Sequence, residues 1–228
     1  ENTQEFTKLP ITDWEQLDSK QQQSVLARPA IDESALLATQ VSNIINQVKE
    51  KGDQALYELT RRFDGAKLTS LKVTQEQIQC AIESLSSKRL SSLKQAYGQI
   101  KRFHEAQRQN DITVETCAGV SCTLKTEAIE SVGLYIPAGT APLPSTVLML
   151  GVPAQLALCS RKVLVSPPDE NGNLAPEVLA AASLCGIDDI YAVGGAQAIA
   201  ALAIGTESIP AVNKFFGPGN KFVSGATN

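Results

Sequence analysis

The chain has 228 residues, enough for one large domain or two small ones, and its 43% hydrophobic and 19% charged composition is ordinary for a globular protein. A net charge of −4 at pH 7 argues against nucleic acid as a partner, because nucleic-acid binding usually requires a basic stripe. The longest apolar stretch, residues 147–159, is too short and too interrupted to predict a membrane span, and the polar, acidic start is not typical of a signal peptide.

The first two predicted elements are helices. We expect the first over residues 13–28, opened by a cap at Thr12 or Asp13. From Glu33 onward, apolar residues recur at helical spacing on one face, and Gly52 is a good end for this second helix.

Three further helices are predicted before residue 111. Asp53 is expected to cap a short one, and Thr74 with Gln77 forms a capping-box signature that opens the next. The third, over residues 87–107, carries the chain's single histidine, His104, near its end. We interpret His104 as a surface residue that compensates the helix dipole, because no nearby side chain orients it for catalysis.

The remainder is predicted to be an α/β layer. Alternating residues predict a β-hairpin of strands 112–117 and 120–124. After about residue 129, short apolar runs alternate with helical segments, which indicates buried parallel strands in βαβ units. The predicted strands are 132–136, 162–165, 190–193 and 214–216, and the predicted helices are 145–158, 176–185 and 196–204.

These elements predict an α/β fold in which an N-terminal helical region and a β-hairpin precede a Rossmann-like parallel sheet layer. We place a division between residues 1–111, which are mainly helical, and residues 112–228, which hold the hairpin and the Rossmann-like module.

The five cysteines favour reduced thiols, which are typical of the cytoplasm, because their number is odd and their spacing wide. Cys117 and Cys122 could face each other across the hairpin, but no second Cys or His pair completes a metal site. We expect them, with Cys80, Cys159 and Cys185, to be small buried hydrophobic residues.

Glycine-bearing turns at the ends of apolar runs are the strongest candidates for a binding site, because ligands of parallel sheets bind at the carboxyl ends of strands. The turn 194–197 puts Gln197 at the start of a helix, and the turn 217–220 ends in Asn220. Gln197 could contact a ligand or lie on the surface of a tight turn. Tyr135 could stack on a base, bond to a ribose, or be a buried tyrosine with a satisfied hydroxyl.

Several familiar sites are missing from the sequence. It contains neither a Gly-x-Gly-x-x-Gly fingerprint nor a Walker A motif. One histidine also leaves no Ser-His-Asp or Cys-His arrangement. The residues alone therefore predict an α/β ligand-binding layer without naming its ligand.

Taken together, the segments resemble the histidinol dehydrogenase family over nearly the whole chain, from about residue 11 to residue 223. Arg28-Pro29, VKEKGD (48–53) and Phe63-Asp64 fit in the first half. In the second half the matching segments, in the family's order, are VGLYIPAG (132–139), STVLML (145–150), VGGAQAIAALA (193–203), GTESIP (205–210) and FGPGN (216–220).

The resemblance implies a zinc-dependent homodimer with two Rossmann-like modules that oxidises L-histidinol to L-histidine with NAD, through a bound aldehyde. By motif, Tyr135, Gln197 and Asn220 correspond to NAD contacts. On this basis, residues 1–111 contain part of the first Rossmann-like module and a dimer arm.

The chain also departs from the family. The family's zinc ligands (a Gln, two His and an Asp) and its Glu-His acid/base pair match no position here, so we assign no catalytic and no metal residue to this chain. The tail, residues 224–228, departs from the helix expected after the last motif. We therefore expect the chain alone to be inactive and to bind NAD weakly; the alternative is a non-catalytic α/β module that binds a nucleotide or a partner.

Overall fold

Helices and strands alternate along most of the chain in the computed structural model, which describes residues 12–26, 35–138 and 142–226. No helix in these ranges is both long and apolar enough to cross a membrane. The helices are α1 (Ser19–Leu26), α2 (Ala35–Lys51), α3 (Asp53–Phe63), α4 (Gln75–Ser84), α5 (Ser87–Glu105), α6 (Pro144–Leu156), α7 (Pro176–Leu184), α8 (Gly195–Ile204) and α9 (Lys221–Gly225). The strands are β1 (Ile112–Cys117), β2 (Val120–Leu124), β3 (Ser131–Tyr135), β4 (Arg161–Ser166), β5 (Asp189–Ala192) and β6 (Lys214–Phe216).

A parallel sheet of four strands, in the order β5-β4-β3-β6, organises the second half. The chain runs outward from β3 through β4 to β5, with α6 and α7 in the connections. It then returns through α8 to place β6 on the other side of β3. These βαβ units confirm the predicted α/β class, and each predicted strand overlaps an observed one.

Apolar side chains cover both faces of this sheet, as the period of two along a strand requires. On β3, Val132 and Leu134 face a core built with α4, α6 and α7, whereas Tyr135 faces a second core built with α2, α3 and α8. The sheet is therefore a middle layer between two layers of helices.

The helices of the first half complete both layers. Residues of α2 and α3 belong to one core, and residues of α4 and α5 belong to or pack against the other. The predicted capping box that opens α4 is confirmed: Gln77 N donates to Thr74 Oγ1 at 3.2 Å, and Thr74 N donates to Gln77 Oε1 at 2.8 Å. The division at residue 111 stays a prediction, and both of its sides contribute to the same two cores.

The first predicted helix, residues 13–28, is interrupted, so the prediction of one continuous helix was wrong. Asp13 caps only a short 3-10 turn, and Leu17 is extended. Asp18 then starts α1, because its Oδ1 accepts from Gln21 N at 2.8 Å while its own N–H donates to the Gln21 side chain. The predicted end of this helix and the start of the next fall in residues 27–34, outside the described residues.

The cap of α3 also differs from the prediction. Gly52, not Asp53, occupies the cap position, and Asp53 is the first helical residue. Glu207 Oε2 accepts from Asp53 N at 2.7 Å, and the Asp53 carboxylate accepts from the Ser208 N–H and hydroxyl. The loop after α8 thus supplies a cap that short-range sequence spacing could not reveal.

The hairpin of β1 and β2 has its predicted bounds, and every residue in it is exposed. Cys117 pairs with Val120 and Cys122 pairs with Val114, so the two cysteines are not opposite each other.

The five thiols are free, but they do not all behave as buried hydrophobic residues. That prediction was wrong for Cys80, Cys117 and Cys122, which are exposed because they lie on the outer side of α4 and in the uncovered hairpin. Cys159 and Cys185 are buried as predicted, and burial raises the pKa of the Cys185 thiol to about 12.

Replacing Gly52 by alanine should destabilise the chain. Gly52 has φ +54°, and an added Cβ would overlap the Glu207 carboxylate that caps α3. We expect Gly52→Ala to lower the free energy of unfolding by about 2 kcal/mol in urea titrations, because it combines backbone strain with a displaced cap.

Gly98→Ala is the matched control for this substitution. Gly98 lies within α5, and its Cβ would meet nothing within 4 Å. Alanine there should stabilise the chain by roughly 0.5–1 kcal/mol through helix propensity. Equal effects of the two substitutions would contradict the account of Gly52.

Candidate functional site

A cavity of about 720 Å³ lies at the carboxyl ends of the parallel strands, where β3 and β6 run side by side after the strand order reverses. Such a reversal leaves a crevice in which ligands of open α/β sheets bind. Segments after all four strands and two helices of the first half contribute to the wall: Gln40, Asn43, Ile44, Gln47, Arg62, Phe63, Asp64, Tyr135, Pro137, Ala138, Pro167, Pro168, Gly195, Ala196, Gln197, Asn220 and Phe222.

The cavity brings together the three predicted cofactor contacts. Tyr135 ends β3, Gln197 lies in the first turn of α8, and Asn220 precedes α9. All three line this one cavity, although they are far apart in sequence. Gly139, which ended the first of the family-like segments, lies outside the described residues. That these side chains bind a cofactor stays a prediction.

The start of α8 forms part of the cavity wall and has the features of an anion-binding site. Gly194 at the cap position has no side chain to cap this helix, so the backbone N–H groups that follow Gly195 lack the partner that a cap residue would give them. Such groups, aligned with the positive end of the helix dipole, bind phosphate and carboxylate groups. Gly195 enters the helix at φ +66°, a conformation that glycine adopts without strain.

Gln197 is the most buried polar side chain of the wall, with only 1% of its surface exposed. The alternative of a surface glutamine was therefore wrong, because the turn directs this side chain inward beside Gly195. Its amide makes no hydrogen bond to another residue in the described part of the chain. Because Gln197 lines the cavity, its amide can hydrogen-bond to a ligand there.

Tyr135 is also buried, with 4% of its surface exposed, and burial raises the pKa of its phenol. Its hydroxyl oxygen accepts a hydrogen bond from Gly195 N at 3.2 Å. The same hydroxyl lines the cavity wall and retains a proton to donate. Tyr135 therefore combines two of the roles left open by the sequence: it is a buried tyrosine and a candidate ligand contact.

Asn220 has a structural and a candidate binding role. Its Oδ1 accepts hydrogen bonds from Phe222 N at 3.0 Å and Val223 N at 3.2 Å, which starts α9. Of the tail predicted to depart from helix, residues 224–228, Ser224 and Gly225 are helical because Asn220 is an effective cap, and residues 227–228 lie outside the described residues. The Asn220 NH₂ group is not needed for this cap and remains able to donate to a ligand.

Asp64 is a wall residue to which sequence reasoning gave no role, although the segment Phe63-Asp64 resembles the family. One of its carboxylate oxygens, Oδ2, is shut off from solvent and has no hydrogen-bond partner among the residues described. Burial raises the pKa of the carboxyl group to about 6. Its place in the family-like segment Phe63-Asp64 is the signal in the sequence that could have pointed to it.

His104 lies apart from this cavity. It sits in the last turn of α5, as predicted, with Nδ1 2.8 Å from Gln107 Oε1. It lines a separate, open groove formed with the segment around Leu156. Within the described ranges, no group of three or more His, Cys, Asp or Glu side chains could hold a metal ion.

Comparison with known proteins identifies close relatives. Residues 26–228 match the family model described as histidinol dehydrogenase. The histidinol dehydrogenase of Colwellia psychrerythraea is 64% identical over 216 residues, which are 95% of this chain and 50% of that protein. The corresponding protein of Aliivibrio fischeri is 50% identical over 93% of this chain and 48% of its own length.

A solved structure shares the fold as well. The crystal structure of histidinol dehydrogenase from Elizabethkingia anophelis superposes with a TM-score of 0.86 at 41% identity, covering 92% of this chain and 48% of that one. The chain thus spans about half the length of the curated relatives it matches.

Neutralising Asp64 should stabilise the fold near neutral pH. Because the pKa of Asp64 is raised from 3.8 to about 6, its stabilising protonated form is lost as pH rises through about 6. After a discount for partial exposure, we expect Asp64→Asn to raise the free energy of unfolding by about 1 kcal/mol at pH 7.5.

The pH dependence is the control for this prediction. Below about pH 3, well under the unfolded pKa of 3.8, Asp64 is protonated in both the folded and the unfolded chain, so the advantage of the Asn variant should vanish in urea titrations. An advantage of the same size at both pH values would contradict the burial of an unpaired carboxylate.

Proposed function

This chain belongs to the histidinol dehydrogenase family, and we propose that its cavity binds NAD for the oxidation of L-histidinol to L-histidine in histidine biosynthesis. The observation that carries the proposal is the convergence of Tyr135, Gln197 and Asn220, with the uncapped start of α8, on one cavity. The donors in this wall suit the phosphate and amide groups of a dinucleotide.

Each part of the wall has a distinct role in this proposal. The backbone N–H groups at the start of α8 bind the negatively charged pyrophosphate. The Gln197 amide and the Asn220 NH₂ group supply hydrogen bonds that no described residue takes up. Phe63 with the wall prolines provides apolar surface for the base. When bound, NAD accepts a hydride from an alcohol or aldehyde, and the protein's part is to hold it in place.

Zinc does not fit the described residues in the same way. No group of His, Cys, Asp and Glu side chains in the described ranges offers the ligands that zinc needs, so we derive no step through the metal. The single histidine lies on α5 outside the cavity. We therefore propose that these 228 residues alone bind NAD but do not oxidise L-histidinol.

Homodimer formation and a cytoplasmic location belong to the same proposal. The free thiols support a reducing compartment. A second candidate function, a non-catalytic module that binds a partner, is favoured by the hairpin, whose Ile112 and Leu124 are 55% and 63% exposed.

Substitutions in the wall should weaken NAD binding. We expect Gln197→Ala and Asn220→Ser each to lower the affinity about tenfold in calorimetric titrations, because each removes a donor amide. Serine keeps an oxygen that can cap α9, so the second variant separates binding from helix stability. Unchanged affinity in both variants would mean that the turns are only structural.

A turnover assay tests the catalytic part of the proposal. We expect no NADH formation from L-histidinol and NAD with added zinc, followed by absorbance, because proton transfer requires an oriented acid or base. Turnover that scales with the amount of chain and disappears with a chelator would contradict the proposal.

A further inference from the structure

The carboxylate of Asp64 lies in the cavity wall, but the NAD contacts proposed above do not include it. Its Oδ2 atom is buried without a hydrogen-bond donor in the described part of the chain. Buried polar atoms without partners are uncommon in native proteins. The neighbouring Arg62 does not supply the missing donor, because its guanidinium lies over the Phe63 ring, 5.3 Å from the centroid.

The surroundings of Asp64 favour a ligand hydroxyl group. Tyr135 lies close enough that the charge of Asp64 helps to raise the pKa of its phenol. The Tyr135 hydroxyl already accepts from Gly195 N, so toward the cavity it can act as a donor. A group between Tyr135 and Asp64 must therefore accept a hydrogen bond and donate another. A hydroxyl does both, whereas an ammonium cannot accept and a fully ionised phosphate cannot donate.

We infer that Asp64 binds ribose hydroxyl groups of the dinucleotide and thereby selects NAD over its 2′-phosphorylated form, NADP. This inference rests on the proposed occupation of the cavity by NAD. A carboxylate oxygen accepts a hydrogen bond from a ribose hydroxyl, and the broad torsion about Cβ–Cγ lets either oxygen turn to the cavity. Acidic residues commonly take this role at the switch point of nucleotide-binding sheets.

The negative charge of Asp64 is what discriminates between NAD and NADP. A 2′-phosphate removes the donor that Asp64 needs and places a second negative charge beside it, and that repulsion acts against NADP alone. Arg62, the basic side chain in the wall, stacks on Phe63 and does not neutralise Asp64 through an ion pair in the described structure. The charge of the Asp64 carboxylate therefore remains available to repel the 2′-phosphate of NADP.

The test measures the dissociation constants of NAD and NADP by calorimetry for the intact chain and for Asp64→Asn. The substitution keeps the size of the side chain and removes its charge. We expect NAD affinity to fall about tenfold while NADP affinity stays the same or rises, so that the preference for NAD falls at least tenfold.

Asp189→Asn is the matched control. Asp189 also carries one negative charge, but it pairs with Lys72 at 2.8 Å at the amino end of β5, away from the cavity. This control should leave both affinities unchanged. Circular dichroism and urea unfolding check that each of the two substitutions leaves the fold intact.

The outcomes separate the two proposals. If the unaltered chain binds NAD and Asp64→Asn keeps the same preference over NADP, the role of Asp64 is wrong while NAD binding stands. If the unaltered chain binds neither nucleotide, both proposals are wrong. A loss of preference in Asp189→Asn of the same size would also overturn the assignment, because it would show a general charge effect.

Discussion

The return of the chain across the sheet between β5 and β6 is the constraint on which the site depends. By placing β6 beside β3 instead of beyond β5, it leaves a crevice between strands whose connections run in opposite directions. The helix that makes this return, α8, starts at the crevice without a capping side chain at its cap position, Gly194. The anchoring hydrogen bond from Gly195 N to the Tyr135 hydroxyl joins the start of that helix to the end of β3.

Two buried side-chain atoms that lack partners among the described residues lie at or next to this crevice. Oδ2 of Asp64 belongs to the cavity wall, and Thr60 Oγ1 lies one helical turn before Asp64. Each costs stability in the free chain, because water is withdrawn and no protein group replaces it. A fold tolerates such costs where a ligand offsets them, which is why unsatisfied groups at one place are better evidence for a site than glycine-rich turns alone.

Sequence patterns predicted the elements of the sheet well because each is governed by short-range rules. Apolar runs located β3 to β6, and the Thr74 capping box located the start of α4. The patterns failed where distant segments decide the outcome. The cap of α3 comes from Glu207, and the burial of Gln197 depends on the packing of the β5–α8 turn, neither of which a local motif encodes.

Family-like motifs located Tyr135, Gln197 and Asn220, but only the fold showed that they share a cavity. Hydrogen exchange with and without NAD tests most directly that this cavity binds the cofactor. The account predicts slower exchange of backbone amides in residues 194–198 and 217–224 when NAD is present, with the hairpin 112–124 unchanged. Exchange that NAD leaves unchanged in residues 194–198, or slows only in the hairpin, would contradict it.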